Sequence, residues 1–268
     1  MLLTREIRFS LADLAAGADD PAASNGWGGW WTDRLLAPHL TFQVTVAGKP
    51  DARTGMVCNV KLLDTVFQQQ CIPKLRTART SGGLSAEKAL LLAWEALQRV
   101  PLAECKPAAL RLYATPTLSF KISADEENVM RVTQQFEFSA AHRLHSPQLT
   151  AENNLEVFGK CNNPHGHGHN YVVEVTLAGS PDPTTGEVLS IPQLQRIVKS
   201  RVIQPLDHKN LDVEIEFFRN VCSTVENIAT YIFRQLDGQF APAQLDSIRV
   251  YETPKTWAEV RQSDRALR

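Results

Sequence analysis

Within Phe158–Tyr171, three histidines stand at alternate positions, His165, His167 and His169, with glycines between them and Cys161 just upstream. In an extended backbone residues i and i+2 project from the same face, so two imidazoles so spaced can converge on one ion. The intervening glycines let the chain approach without side-chain clash. Six of the seven histidines fall between His142 and His208. A structural zinc takes four protein ligands, whereas a catalytic zinc takes three and keeps one position open. His167 and His169 on one strand entry, with His142 from the preceding strand, supply three imidazoles, and His165 or His145 could substitute. The competing reading is a glycine-rich turn whose histidines face water.

The elements that must position these residues come in two similar sets. Gln43–Asp51 and Thr54–Val57 resemble Glu174–Asp182 and Thr185–Val188, while Arg8-Phe9-Ser10 matches Glu137-Phe138-Ser139 and Leu112–Pro116 matches Val250–Pro254. Three segments in the same order at a period of about 130 residues indicate a tandem duplication. In the second half, 132–138, 171–177 and 247–252 are β-prone, with a short fourth strand after Pro254. A helix starts at Ser190 with Gln193 closing a capping box and Leu194, Ile197, Val198 and Val202 as its apolar stripe. Another starts at Ser223 or Thr224 and stops near Asp237-Gly238. The first half has one helix after Asn59 and another over 85–99. Strand, strand, helix, helix, strand, strand, twice over, is an α+β class with antiparallel sheets covered by helices on one face. The expected domains are 1–122 and 129–268, joined by a solvated acidic linker at 123–128. Trp27, Trp30 and Trp31 break the first half's pattern, as a packing loop or an aromatic platform.

With 268 residues, 43% hydrophobic and 21% charged, the composition is that of a globular protein, and a net charge of −1 gives no general attraction to nucleic acid or to a membrane. No apolar run approaches the roughly 20 residues that span a bilayer, and Thr4-Arg5-Glu6 follows Met1-Leu2-Leu3 directly, without a signal-peptide core. Five scattered cysteines without a CxxC pair indicate reduced thiols and a cytoplasmic protein.

Phe138–Leu144, Phe158–Tyr171, Leu206–Asp212, Thr224–Asn227 and Glu252-Thr253-Pro254, five motifs in order over residues 131–260, resemble the 6-pyruvoyl-tetrahydropterin synthase family. The resemblance implies the tunnelling fold, in which several such units form an oligomeric β-barrel with active sites at their interfaces. It implies one zinc per chain on His142, His167 and His169, and 7,8-dihydroneopterin triphosphate as substrate, with Mg2+ as a second ion that the triphosphate could carry. It makes Cys161 the general base, accompanied by Asp207 and His208. A cysteine is a useful base only as thiolate, which a nearby imidazole and cation favour. It also makes Glu252 the carboxylate that receives the pterin's amino-pyrimidine edge, with Thr224 and Glu226 near the pterin. Glu226 alone is explained equally well by a capping box with Ser223.

Counting by the repeat, His142 corresponds to Asp13, His167 to Leu36, His169 to Pro38, Asp207 to Arg76 and Glu252 to Ala114, and only Glu87 is kept, opposite Glu226. The first half should therefore hold no zinc and do no chemistry, serving instead to wall the barrel of a homo-oligomer. Three readings compete with the pyruvoyl-forming lyase. One is 6-carboxy-tetrahydropterin synthase of the queuosine pathway, whose members typically have a shorter interval than the five residues between Cys161 and His167. The others are a non-catalytic pterin- or purine-binding protein, and a structural-zinc module in which Cys161 is the fourth ligand.

Overall fold

The computed structural model describes residues 1–11, 39–81, 83–102 and 105–267. Trp27, Trp30 and Trp31, and the repeat counterparts Asp13, Leu36 and Pro38, lie outside the described residues. The chain divides into two compact units, Met1–Val132 with Gly179–Val188, and Thr133–Ala178 with Leu189–Arg268. No helix among the described residues is long and apolar enough to cross a membrane, and all five cysteines are free thiols.

In the first unit, β1 (Leu2–Ser10), β2 (His39–Gly48), β3 (Cys105–Thr115) and β4 (Leu118–Ser123) form an antiparallel sheet in that order. Phe42, Val44 and Val46 are fully buried at every second position, the period of a strand with one covered face. The cover is helical. Asn59 caps α1 (Val60–Val66) by accepting the Lys61 N–H; a π turn at Phe67–Cys71 leads into α2 (Ile72–Thr80). Ser85 caps α3 (Ala86–Gln98) by accepting the Lys88 N–H. α3 buries Ala89, Leu90, Ala93, Trp94 and Leu97, a helical stripe.

The second unit repeats this plan. β5 (Met130–His142, here from Thr133 onward), β6 (His167–Gly179), β8 (Gln244–Thr253) and β9 (Thr256–Arg261) lie in that order, and the two-residue β7 (Lys209–Asn210) pairs parallel with β5 at Ala140 and Ala141. The helices are α4 (Ala151–Phe158), α5 (Ile191–Val198), a π turn at Lys199–Ile203 running into α6 (Gln204–Leu206), α7 (Leu211–Glu214) and α8 (Val225–Leu236). Local details recur as well. Phe9 stacks on Phe42 and Phe138 on Tyr171, with ring centroids 5.8 and 4.9 Å apart. Asp51 Oδ1 accepts the Thr54 N–H at 2.8 Å, as Asp182 Oδ1, after β6 in the stretch Gly179–Val188 that is grouped with the first unit, accepts that of Thr185 at 2.8 Å.

Three expectations about local structure change. The helix after Asn59 and the helix after Ser190 are each interrupted by a π turn. At Ser190 no side-chain cap forms; its main-chain carbonyl takes the Gln193 N–H at 2.9 Å instead. The acidic run is not merely solvated, because Glu126 pairs with Arg131 through both carboxylate oxygens.

Glu87, the residue kept opposite Glu226, is 5% exposed. Burial raises its carboxyl above the usual range and the nearby Glu187 adds to this, opposed by hydrogen bonds from its own amide and from Ser85. An acid with a raised folded pKa contributes most to stability below its ordinary value, here 4.5, and that contribution is lost as pH rises from there through the raised value. Glu87→Gln is therefore expected to raise Tm at pH 7.5 by roughly 2 °C, with the gain shrinking toward pH 4. A lower Tm at pH 7.5 in thermal melts would count against burial as the dominant effect.

Candidate metal centre and active site

β6 begins on His167, so His167 and His169 share one face of its first turn of pleat, and β5 ends on His142 beside them. The approach depends on Gly166. Its φ is +72°, and a Cβ there would lie 2.9 Å from the His142 carbonyl oxygen, a conformation and a contact that only glycine accommodates. The three ring centroids are 4.5, 5.2 and 4.9 Å apart. His142 Nε2 is 3.1 Å from His167 Nε2.

A fourth group joins them. Glu252, near the end of β8, places Oε1 3.3 Å from His142 Nε2 and 3.5 Å from His169 Nε2. All four ligating atoms lie within 4.8 Å of one another. The edges of a tetrahedron with zinc–nitrogen bonds near 2.0 Å are about 3.3 Å long, so these separations suit one small cation. The hydrogen bonding agrees with this. His142 is fully buried and donates its Nδ1–H to the Ser223 carbonyl at 2.8 Å, which leaves the Nε2 lone pair facing the other imidazoles. His169 Nε2 is buried without a hydrogen-bond partner. Burial holds both His142 and His169 below the usual histidine range, against the opposing effects of the Ser223 carbonyl on His142 and of Glu252 on both. Neutral imidazole is the form that binds a metal.

His165 and His145, the possible substitutes, stay outside the cluster. His165 is exposed, and His145 Nδ1 sits 3.0 Å from Asn162 Oδ1.

Asp207 and His208 form a second group. Asp207 Oδ1 accepts the Ser139 N–H at 2.9 Å, its Oδ2 lies 2.9 Å from His208 Nδ1, and the His208 N–H donates to the Ser139 carbonyl at 2.6 Å. The Ser139 amide, then His208, holds the Asp207 carboxyl below its ordinary range. The His208 side chain is 82% exposed. It lines a cavity of about 470 Å³ whose walls include Ser139, Ala140, His169, Asn170 and Asn210, so His208 and a histidine of the cluster face one recess.

Cys161 takes no part in that pair's hydrogen bonds. It sits in the 3₁₀ turn Gly159–Asn162, partly exposed, with its carbonyl accepting the Leu144 N–H at 3.0 Å. Among the described residues its Sγ makes no hydrogen bond with Asp207 or His208. Arg143 Nε donates to the Asn162 carbonyl and side chain, fixing the turn. At α8 the cap is Thr224, which accepts the Asn227 N–H at 3.4 Å. The Ser223 hydroxyl donates instead to Asp212 Oδ1 at 2.6 Å, so no Ser223–Glu226 capping box forms and the exposed Glu226 lacks that explanation.

The sequence reading did not place Glu252 with the histidines. The signal is a cross-strand register, with Val172 opposite Tyr251, which brings Glu252 beside the start of β6 and which spacing along one strand does not show.

Comparison with known proteins places this chain in a family. A family profile described as 6-pyruvoyl tetrahydropterin synthase matches residues 131–263. The chain is 50% identical over 131 residues to 6-pyruvoyl tetrahydrobiopterin synthase of Drosophila melanogaster, covering 48% of this chain and 78% of that protein. It is 48% identical over 123 residues to the Homo sapiens protein of that name, covering 46% and 85%. The solved structure of Caenorhabditis elegans 6-pyruvoyl tetrahydropterin synthase is similar over 50% of this chain and 95% of its own, at 43% identity and a TM-score of 0.48. All the histidine-cluster and recess residues lie inside the matched span, and at 50% and 48% identity over 78% and 85% of the Drosophila melanogaster and Homo sapiens proteins the chain belongs to the 6-pyruvoyl tetrahydropterin synthase family.

Proposed function

We propose that this protein is a zinc-dependent lyase that converts 7,8-dihydroneopterin triphosphate to 6-pyruvoyl-tetrahydropterin and triphosphate. The observation that carries the metal is the convergence of His142, His167 and His169 inside the family-matched span. These three would hold zinc, which when bound supplies Lewis-acid acidification of the substrate's side-chain hydroxyls. Cys161 is assigned as the base that takes protons from the side-chain carbons, with Asp207 and His208 tuning it and relaying protons. Since the pair makes no hydrogen bond to the Cys161 thiol of its own chain, we assign the pair to a Cys161 of another chain. That arrangement requires a homo-oligomer, with active sites where units meet.

The two glutamates divide the remaining work. We assign Glu252, whose Oε1 lies 3.3 and 3.5 Å from the imidazoles of His142 and His169, to receive the donors of the pterin's amino-pyrimidine edge beside the metal, with Thr224 and the exposed Glu226 near the pterin. The first unit is proposed to be a duplicated copy without catalytic groups, giving one zinc per chain. Its recurring turns, ring stacks and π turn support common descent with the second.

Incubation of the purified protein with 7,8-dihydroneopterin triphosphate and zinc should give 6-pyruvoyl-tetrahydropterin by mass spectrometry. A 6-carboxy-tetrahydropterin with acetaldehyde would replace this reading with the carboxy-forming one, and tight binding without turnover would replace it with a binding protein.

A further inference from the structure

The Asp212 carboxylate belongs to neither the metal cluster nor the Asp207–His208 pair, yet it closes a ring of hydrogen bonds around His142. Its Oδ2 accepts the Arg143 N–H at 2.6 Å, and Arg143 follows His142 in the chain. Its Oδ1 accepts the Ser223 Oγ–H at 2.6 Å. The Ser223 carbonyl accepts the His142 Nδ1–H at 2.8 Å. Ser223 and His142 are both fully buried, so water is not available to substitute for either partner. One carboxylate thus fixes the backbone just past the ligand and the residue that orients the ligand's ring.

We propose that Asp212 is a positioning residue for the metal centre, acting through Ser223 to hold His142 as the Nδ1–H tautomer with Nε2 turned toward His167 and His169. The carboxylate suits this role chemically because both incoming groups are donors. An amide in its place could still accept the Arg143 N–H and give its NH2 to the Ser223 oxygen, so the substitution that removes both contacts is Asp212→Ala. Outer hydrogen bonds of this kind set a ligating histidine's orientation and basicity, and their loss commonly weakens metal binding by about 10–100-fold.

The proposal rests on the zinc reading above, so the test separates the two. Zinc affinity of the full-length apo protein is measured by competition with a chromophoric chelator for the wild type, Asp212→Ala, Ser223→Ala and the double variant. Asp212→Ala should bind zinc at least about 10-fold more weakly. Ser223→Ala keeps the main-chain carbonyl but not the hydroxyl, and should weaken binding in the same direction even if Asp212→Ala fails to fold. The double variant should be no weaker than the weaker single one, since both changes break one chain of contacts. Imidazole nitrogen NMR of the apo protein should show a protected His142 Nδ1–H in the wild type that is lost in the variants. Zinc affinities within twofold of wild type, or additive losses, would overturn the positioning role. If the wild type takes up no zinc, the metal reading fails, and an unchanged Nδ1–H signal in the variants then sinks the positioning role as well.

Discussion

His167→Ala should leave a folded protein that no longer retains zinc after dialysis, against about one zinc per chain in the wild type. The His142 ring is fully buried and hydrogen-bonded to Ser223, so its removal would mix metal loss with a cavity in the core. His167 is only partly buried, and its replacement mainly deletes a ligand. Losing a Lewis acid worth several kcal/mol at the transition state lowers turnover by about three orders of magnitude. The control is His165→Ala, two residues away, whose ring is exposed and outside the cluster; it should keep its zinc and its rate. Elemental analysis beside a single-turnover assay decides the matter. A His167→Ala protein that still carries one zinc per chain would remove this residue from the centre.

Cys161→Ala should keep the zinc and lose the rate. A positioned base contributes about 10²–10⁴-fold, and nothing in the cluster's geometry depends on the Cys161 side chain. Because the Asp207–His208 pair holds to Ser139 of its own β5 and not to its own Cys161, the two halves of the proton machinery can be supplied by different chains. Mixing inactive Cys161→Ala with inactive Asp207→Ala, followed by subunit exchange, should then restore a fraction of wild-type turnover. If Cys161→Ala turns over at the wild-type rate, its role as base is lost. If the mixture stays inactive although exchange is demonstrated, the pair serves its own chain.

The convergence of the histidines was legible in the sequence because alternation in a strand maps spacing onto a shared face, and β6 does begin on His167. The helices capped by Asn59, Ser85 and Thr224 were legible for a similar reason, since caps and apolar stripes are local signals. α4 was not, because Ala151–Phe158 carries no buried apolar stripe; its one fully buried residue is Asn154, whose side chain ties Ser146, Leu149 and Thr150 together. The nearness of Glu252 to the histidines, and Asp212 altogether, were passed over for a different reason. Each acts across chain-distant partners, Glu252 toward β5 and β6 and Asp212 toward Arg143 and Ser223, and the pairing of strands and loops is decided by packing that no single segment encodes.

The π turns at Phe67–Cys71 and Lys199–Ile203 amount to a phase shift. One residue more than an α-helix would hold advances everything downstream by about 100° around the axis. In the second unit the shift leaves Leu206 fully buried and brings the chain off the helix at Asp207, against β5. In the first unit the same shift leaves Leu75 fully buried, yet the next residue is Arg76 and no Asp-His pair follows. The angular offset is therefore a property of how these helices seat on their sheets. In the second unit Asp207 and His208 stand at the exit it provides, and a single-residue deletion there would re-aim both without touching either.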